Sequence, residues 1–322
     1  MEPEPSAFCP RCDALRVPGP ECPRCGVVYA KARPRAAPPP PPPPPGLDDV
    51  VGDARGLLPG MAPAVWEGDA EDARREVLVR TWAPPIALGV AWLLVASGPF
   101  RMVLRTFFSM WLHELGHAIA AWLTGHFAFP GPWRTPVSPG RVPAVVLLVA
   151  GALSALAVWG WRTRRPALVL AAAAGLFVQL VCTLLPRSAA AAFFTFGGDA
   201  GSMILGAALF ATIWSRPEGA LARGWLRWGF LVIGAVGLVD PLHGWIAGAL
   251  DHGEIPLGHI EGVGMSDAMK LWRVHGWTLA EIALRYVALG VACLAALAGG
   301  YAFGLARARA WLRAVEAGAP ER

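Results

Sequence analysis

Charge is what this sequence is short of: Asp, Glu, Lys and Arg together make up 16% of its 322 residues, against about 25% in an average soluble domain. With 55% hydrophobic residues, such a chain is expected to use lipid rather than water as its main solvent. An export-signal core is missing as well, because Met1 to Pro20 is polar and Pro-rich, so no cleaved leader is expected. No internal repeat stands out. Nor is there a concentrated basic field: the formal charge of +5 comes largely from arginines at the ends of apolar stretches, where cationic heads reach the lipid interface. Nucleic acid is therefore not an expected partner. The same holds for the aromatic residues, since Trp82, Trp92, Trp111, Trp122, Trp133, Trp161, Trp214, Trp225 and Trp228 lie in or near the edges of apolar stretches, where they anchor spans.

Long apolar stretches are what the sequence does have, at about 82–99, 103–124, 142–161, 166–185, 189–214, 225–250 and 281–304. A bilayer core of about 30 Å needs about 20 helical residues. The pattern predicts an all-α membrane protein, a polytopic bundle of six or seven transmembrane helices. Arg101 and Arg105 between the first two stretches call for a very tight loop or a short re-entrant helix. Arg162, Arg164 and Arg165 follow the third stretch while Arg134 and Arg141 precede it, so arginine placement along the sequence leaves the orientation open. The longest polar interruption, Asp251 to Thr278, reads as an extramembrane loop with a short helix capped by Ser266. The expected division is a zinc ribbon over 1–35, a Pro-rich linker and juxtamembrane segment over 36–80, a transmembrane domain over 81–306 and a tail over 307–322.

Four of the six cysteines are paired by spacing, Cys9-x-x-Cys12 and Cys22-x-x-Cys25. Two such knuckles supply the tetrahedral sulfur shell that Zn²⁺ favours, and a segment this short has no other means of building a core. Thiolate ligation suits a reducing compartment, which puts the N-terminus in the cytoplasm. The ribbon reads as a module for a protein partner. Pro38 to Pro45 follows as a polyproline spacer of about 25 Å. Cys182 and Cys293 stand alone in apolar runs and read as small hydrophobes.

The second apolar stretch contains His113-Glu114-Leu115-Gly116-His117. On a helix, residues i and i+4 share a face, so His113 and His117 can bind one zinc while Glu114 reaches a water beside it as general base. Ionisable residues within an apolar helix are functional by default. Gly116 leaves room for close approach of another group. A second acid, Asp199 in FFTFGGDAGSMILGA, lies in an otherwise apolar run, where burial must protonate it, pair it or bind it to metal. Metal binding is the expectation. Its rival is Asp240 in LVDPLHGW, which reads more simply as a helix cap or an ion-pair partner of an arginine.

The HELGH motif in its apolar helix, followed by small residues and Gly125, resembles the first motif of the site-2 protease family of intramembrane zinc metalloproteases. The resemblance covers about residues 100–215. It implies a catalytic zinc on His113, His117 and an Asp of a later span, with Asp199 in that place, and Glu114 as base. The family pattern at that Asp is Leu-Asp-Gly with an upstream Asn or Pro. This sequence has Gly198 and Ala200 at the flanking positions and no upstream Asn. The function implied is hydrolysis of a peptide bond in or near a transmembrane segment of a membrane-anchored protein, in the bacterial inner membrane. The alternative is an inactive membrane scaffold or sensor with a structural zinc. His126, just past Gly125, reads as an interface residue, and His252, His259 and His275 as solvated loop residues.

Overall fold

The computed structural model describes residues 8–9, 11–12, 14–31, 67–215, 224–260 and 264–317. The polyproline spacer expected at 38–45 lies outside the described residues. The chain divides into two units, Met1–Pro63 and Ala64–Arg322.

The first unit is built on its cysteines. Backbone N–H groups of Cys9 and Cys22 each donate to the carbonyl five residues on, Ala14 and Val27, at 2.8 and 2.9 Å. Short antiparallel bridges, Phe8 with Leu15 and Glu21 with Val28, flank the two knuckles. Gly26 holds φ +68, the left-handed conformation that turns the chain after the second pair. Cys9, Cys22 and Tyr29 form the small core, too little apolar surface to hold a fold without a cross-link.

Among its described residues the second unit is built of helices and two short hairpins. Helix α1 spans Glu67–Ala96. After a turn at Ser97–Gly98 come α2 (Pro99–Leu104), a π-turn over Arg105–Ser109 and α3 (Met110–Leu123). Strands β1 (His126–Ala128) and β2 (Val137–Arg141) pair antiparallel. Then follow α4 (Pro143–Arg162), α5 (Pro166–Leu184), α6 (Arg187–Ala211) and α7 (Gly224–Leu250). The polar loop carries the hairpin β3 (His259–Ile260) and β4 (Gly264–Met265) and the short helix α8 (Asp267–Arg273), before α9 (Leu279–Glu316) closes the chain. Among the described residues six helices, α1, α4, α5, α6, α7 and α9, are long and apolar enough to cross a membrane. The protein is an all-α polytopic membrane protein with an N-terminal zinc ribbon.

Some boundaries differ from those read in the sequence. The acidic segment at Asp69–Asp72, placed in the juxtamembrane stretch by the sequence, belongs to the same helix that crosses the membrane, and α1 is described from Glu67. Pro84 and Pro85 within it do not break it, as neighbouring elements in a membrane can re-satisfy the freed carbonyls. The tail expected from 307 is helical to Glu316. A tight turn at Ser97–Gly98, with Gly98 at φ +43, separates α1 from the HELGH segment, and Arg101 and Arg105 lie within that helical segment, which is not among the six candidate spans.

Packing rests on small residues, as expected where lipid removes the hydrophobic drive between helices. A Cβ on Gly206 would lie 2.7 Å from the Leu238 backbone nitrogen, and one on Gly234 would lie 2.5 Å from that of Phe210, so α6 and α7 touch backbone to backbone. The core joins α1, α6, α7 and α9, with Phe210, Met203, Leu238, Leu242, Ile282 and Tyr286 all but fully buried. Helices α4 and α5 form an outer hairpin whose Leu147, Leu148, Trp161, Leu170 and Phe177 are exposed, apolar faces suited to lipid. Polar ties gather one end of the bundle. Arg74 pairs with Glu316 at 2.9 Å, Arg227 with Glu76 at 2.7 Å, and Arg80 donates to the Ser215 carbonyl at 2.7 Å. The polar loop lies at the opposite end of α7.

Candidate metal centres

The four ribbon cysteines are free thiols, and their sulfurs lie within ligand reach of one another. Cys9–Cys25 and Cys12–Cys22 are each 3.7 Å apart. Sulfurs on a tetrahedral zinc at about 2.3 Å would be about 3.8 Å apart, so the tetrad could hold a structural metal. Backbone N–H groups of Arg24 and Cys25 hold the Cys22 thiol down to about 6, against the opposing effect of burial. Cys12 receives a backbone N–H from Ala14, but burial and the three neighbouring thiols push it up to about 12. Without a cation the tetrad resists full ionisation.

The second cluster, His113, His117 and Asp267, is assembled from two separate elements, α3 and α8, against a third, α6. Gly116 makes it possible: a Cβ there would lie 2.8 Å from Gly201 Cα and 2.9 Å from the Gly198 carbonyl, so α3 and α6 pack with their backbones in contact. The closely approaching group that the sequence leaves room for is the glycine face of α6. Gly198 faces the histidines, and a Cβ on it would lie 2.5 Å from His117 Nε2. Any side chain at this position would crowd both imidazoles, since the same Cβ would lie 2.6 Å from His113 Cε1.

The two histidines are fixed from behind. His117 Nδ1 donates to the Phe194 carbonyl at 2.7 Å. A carbonyl only accepts, so Nδ1 carries a proton, and in the neutral ring Nε2 presents its lone pair. His113 Nδ1 is 2.8 Å from Asp199 Oδ1, which sets the same tautomer. The two Nε2 atoms then face each other at 3.1 Å, and Asp267 Oδ2 lies 3.2 Å from His113 Nε2 and 2.9 Å from His117 Nε2. Three acceptor atoms this close need either a proton or a metal ion among them. Nitrogen and oxygen ligands at about 2.0–2.1 Å on a tetrahedral ion are about 3.3 Å apart, so His113, His117 and Asp267 could hold a metal.

Asp199 therefore stands differently from its sequence reading. It is half-buried beside the histidines, but its Oδ1 bonds the far nitrogen of His113 and its Oδ2 accepts from Trp245 Nε1 at 2.8 Å. In this geometry it orients His113, and the carboxylate that converges with the two imidazoles is that of Asp267 at the start of α8. Asp240 forms ion pairs with Arg101 and Arg105, both at 3.2 Å, and accepts from Ser109 at 2.6 Å. His126, read as an interface residue, is buried: its Nδ1 is 3.0 Å from Thr124 Oγ1 and its ring meets Phe194 edge-on.

Glu114 is buried and accepts from Thr135 Oγ1 at 2.7 Å through Oε2. It lines a cavity of about 900 Å³ together with His113, His117, Asp199 and Asp267. Met102, Met110, Trp133, Phe194 and Trp245 give that cavity apolar walls. No family model, curated protein or solved structure matches this chain.

Proposed function

We propose that the protein is an intramembrane zinc metalloprotease that hydrolyses a peptide bond in or near a transmembrane segment of a membrane-anchored protein. The observation that carries this reading is the convergence of two outward-facing imidazole nitrogens and one carboxylate, with Glu114 on the same helix and the same cavity. Zinc in such a shell supplies Lewis acidity and lowers the pKa of water towards neutrality. Three protein donors leave a fourth position open, as in catalytic rather than structural sites.

Around that chemistry each residue has a part. Glu114, held by Thr135, accepts a proton from the attacking water and returns it to the departing amine. Asp199 and the Phe194 carbonyl keep both histidines in the ligating tautomer. Trp133, Phe194 and Trp245 limit water around the reacting carbonyl, which strengthens every charge interaction within. A substrate helix must unwind to enter, so segments with helix-weakening residues are the preferred targets.

The proposed setting is the bacterial inner membrane with the N-terminus in the cytoplasm. Arginine placement along the bundle supports that orientation. Arg74, Arg75, Arg80, Arg227, Arg309 and Arg313 lie at the end where α1 enters, and the up-and-down order of α4 to α6 brings Arg162, Arg164 and Arg165 to the same end. Such an excess marks the cytoplasmic side. The polar loop that carries Asp267 then belongs to the opposite face.

The test is Glu114→Gln in detergent-purified full-length protein with a reconstituted membrane-anchored substrate. Cleavage is expected to fall by at least 10²–10⁴-fold with zinc content unchanged. Wild-type cleavage by this variant would sink the mechanism.

A further inference from the structure

The face of the helix that carries the histidines continues beyond them. Arg101, Arg105, Ser109, His113 and His117 recur at every fourth position. In a straight α-helix that spacing drifts around the axis, because one turn takes about 3.6 residues. The π-turn over Arg105–Ser109 widens the helix where drift would accumulate, and both guanidinium groups line the same cavity as the metal group.

One buried carboxylate anchors the two arginines. Asp240 is 1% exposed, and its oxygens are engaged by Arg101 Nε, Arg105 Nη1 and the Ser109 hydroxyl. It balances one positive charge of the two. Asp199, 3.8 Å from Arg105 Nη2, offsets part of the second charge while accepting contacts of 2.8 Å from His113 and Trp245. Arg101 also rests against the α7 backbone, since a Cβ on Gly244 would lie 2.6 Å from its Nη2. Held from behind, both arginine side chains are 36% exposed and line the cavity.

We infer that Arg101 and Arg105 form a carboxylate-binding subsite that seats an acidic group of the substrate beside the scissile bond. The inference rests on the protease reading of the same cavity. A planar guanidinium fork matches a carboxylate in two parallel hydrogen bonds. The path from Arg105 to His113 passes through Asp199 alone, so the acidic group lies within about three residues of the cleaved bond at ~3.5 Å per residue. A substrate's C-terminal carboxylate and the side chain of Asp or Glu both offer this chemistry.

Three short peptide hydroxamates of equal length test it on the full-length zinc-loaded protein in detergent, by calorimetry. One ends in a free carboxylate, one is amidated and carries a Glu side chain, and one is amidated with Gln in its place. At least one acidic probe is expected to bind about tenfold or more tighter than the neutral one, and Arg101→Gln and Arg105→Gln remove that advantage. A winning free carboxylate assigns the subsite to the substrate's C-terminus, and a winning Glu assigns it to an acidic side chain. Equal affinity of all three probes for the wild type overturns the subsite, whatever the variants do. Failure of even the neutral probe to bind sinks the zinc-protease reading instead.

Discussion

The two metal-capable clusters differ in how their ligands are spread along the chain. The ribbon takes four sulfurs from a single stretch, Cys9 to Cys25, each pair set by its own knuckle. The membrane cluster takes two nitrogens from α3 and an oxygen from α8, with 150 residues between His117 and Asp267. A local site needs only its own turns to form. A distributed one needs the bundle folded first, and it exists only where helix packing brings the elements together.

The largest expected effect separates the two clusters outright. Elemental analysis of the full chain is expected to give about two zinc ions, and His117→Ala to remove one while the ribbon keeps its own, because the two sites share no ligand. Replacing Cys9 and Cys12 with Ser should remove the other and leave cleavage chemistry in place. A single variant that empties both sites would show that the ribbon and the membrane domain do not hold metal independently.

Within the membrane cluster, the comparison sharpens between the two aspartates. Asp267→Asn removes a converging oxygen and should abolish stoichiometric zinc at that site. Asp199→Asn disturbs only the far side of His113 and should weaken zinc by about 10–100-fold, measured by competition with a chromogenic chelator. The reverse ranking would return Asp199 to the ligand position that the sequence resemblance implies.

That contrast also shows where sequence reading stops. The HELGH spacing places both imidazoles and the base on one helix because four residues is a helical repeat, a relation contained in five consecutive letters. Gly116 and Gly198 are legible as room for something, yet which element fills that room depends on the α3–α6 crossing. Asp267 carries no local mark of its role. An acid in the first turn after an N-cap serine is ordinary helix chemistry, and the attention of a sequence reading falls on the loop histidines instead. An acid in an apolar run must have a partner, and for Asp199 that partner is the back of a histidine, which burial alone does not distinguish from a metal. Hydropathy leaves six or seven spans open, because the HELGH stretch is as apolar as a span yet is not among the six helices long enough to be one, and the helical continuation back to Glu67 is hidden by charged first turns that resemble a linker.

Packing should respond on a smaller scale. A Cβ on Gly197 would lie 2.7 Å from the Ala120 Cβ and 3.1 Å from the Gly116 carbonyl. Gly197→Ala is therefore expected to force α3 and α6 apart and destabilise the bundle by about 1–3 kcal/mol, read as a lower unfolding temperature in detergent. Zinc at the membrane site should weaken with it while the ribbon stays loaded. An unchanged bundle with unchanged zinc would mean that the close crossing does not hold the site together.

The smallest effect concerns the element that delivers the third donor. Ser266 caps α8 by accepting from the Met269 N–H at 3.3 Å, and its hydroxyl donates to the Pro256 carbonyl at 2.8 Å. Both bonds fix the residue immediately before Asp267, so the cap positions the carboxylate as well as starting the helix. Ser266→Ala should destabilise α8 by about 1 kcal/mol. If α8 is ordered only when Asp267 is engaged, that loss appears as a zinc affinity about fivefold weaker at the membrane site, with hydrogen exchange rising over 267–273. If exchange rises and zinc affinity does not move, Asp267 reaches its place without help from the cap, and α3 and α6 alone determine the site. The ribbon serves as the internal control, since its knuckles are closed by their own backbone bonds and should not register the change.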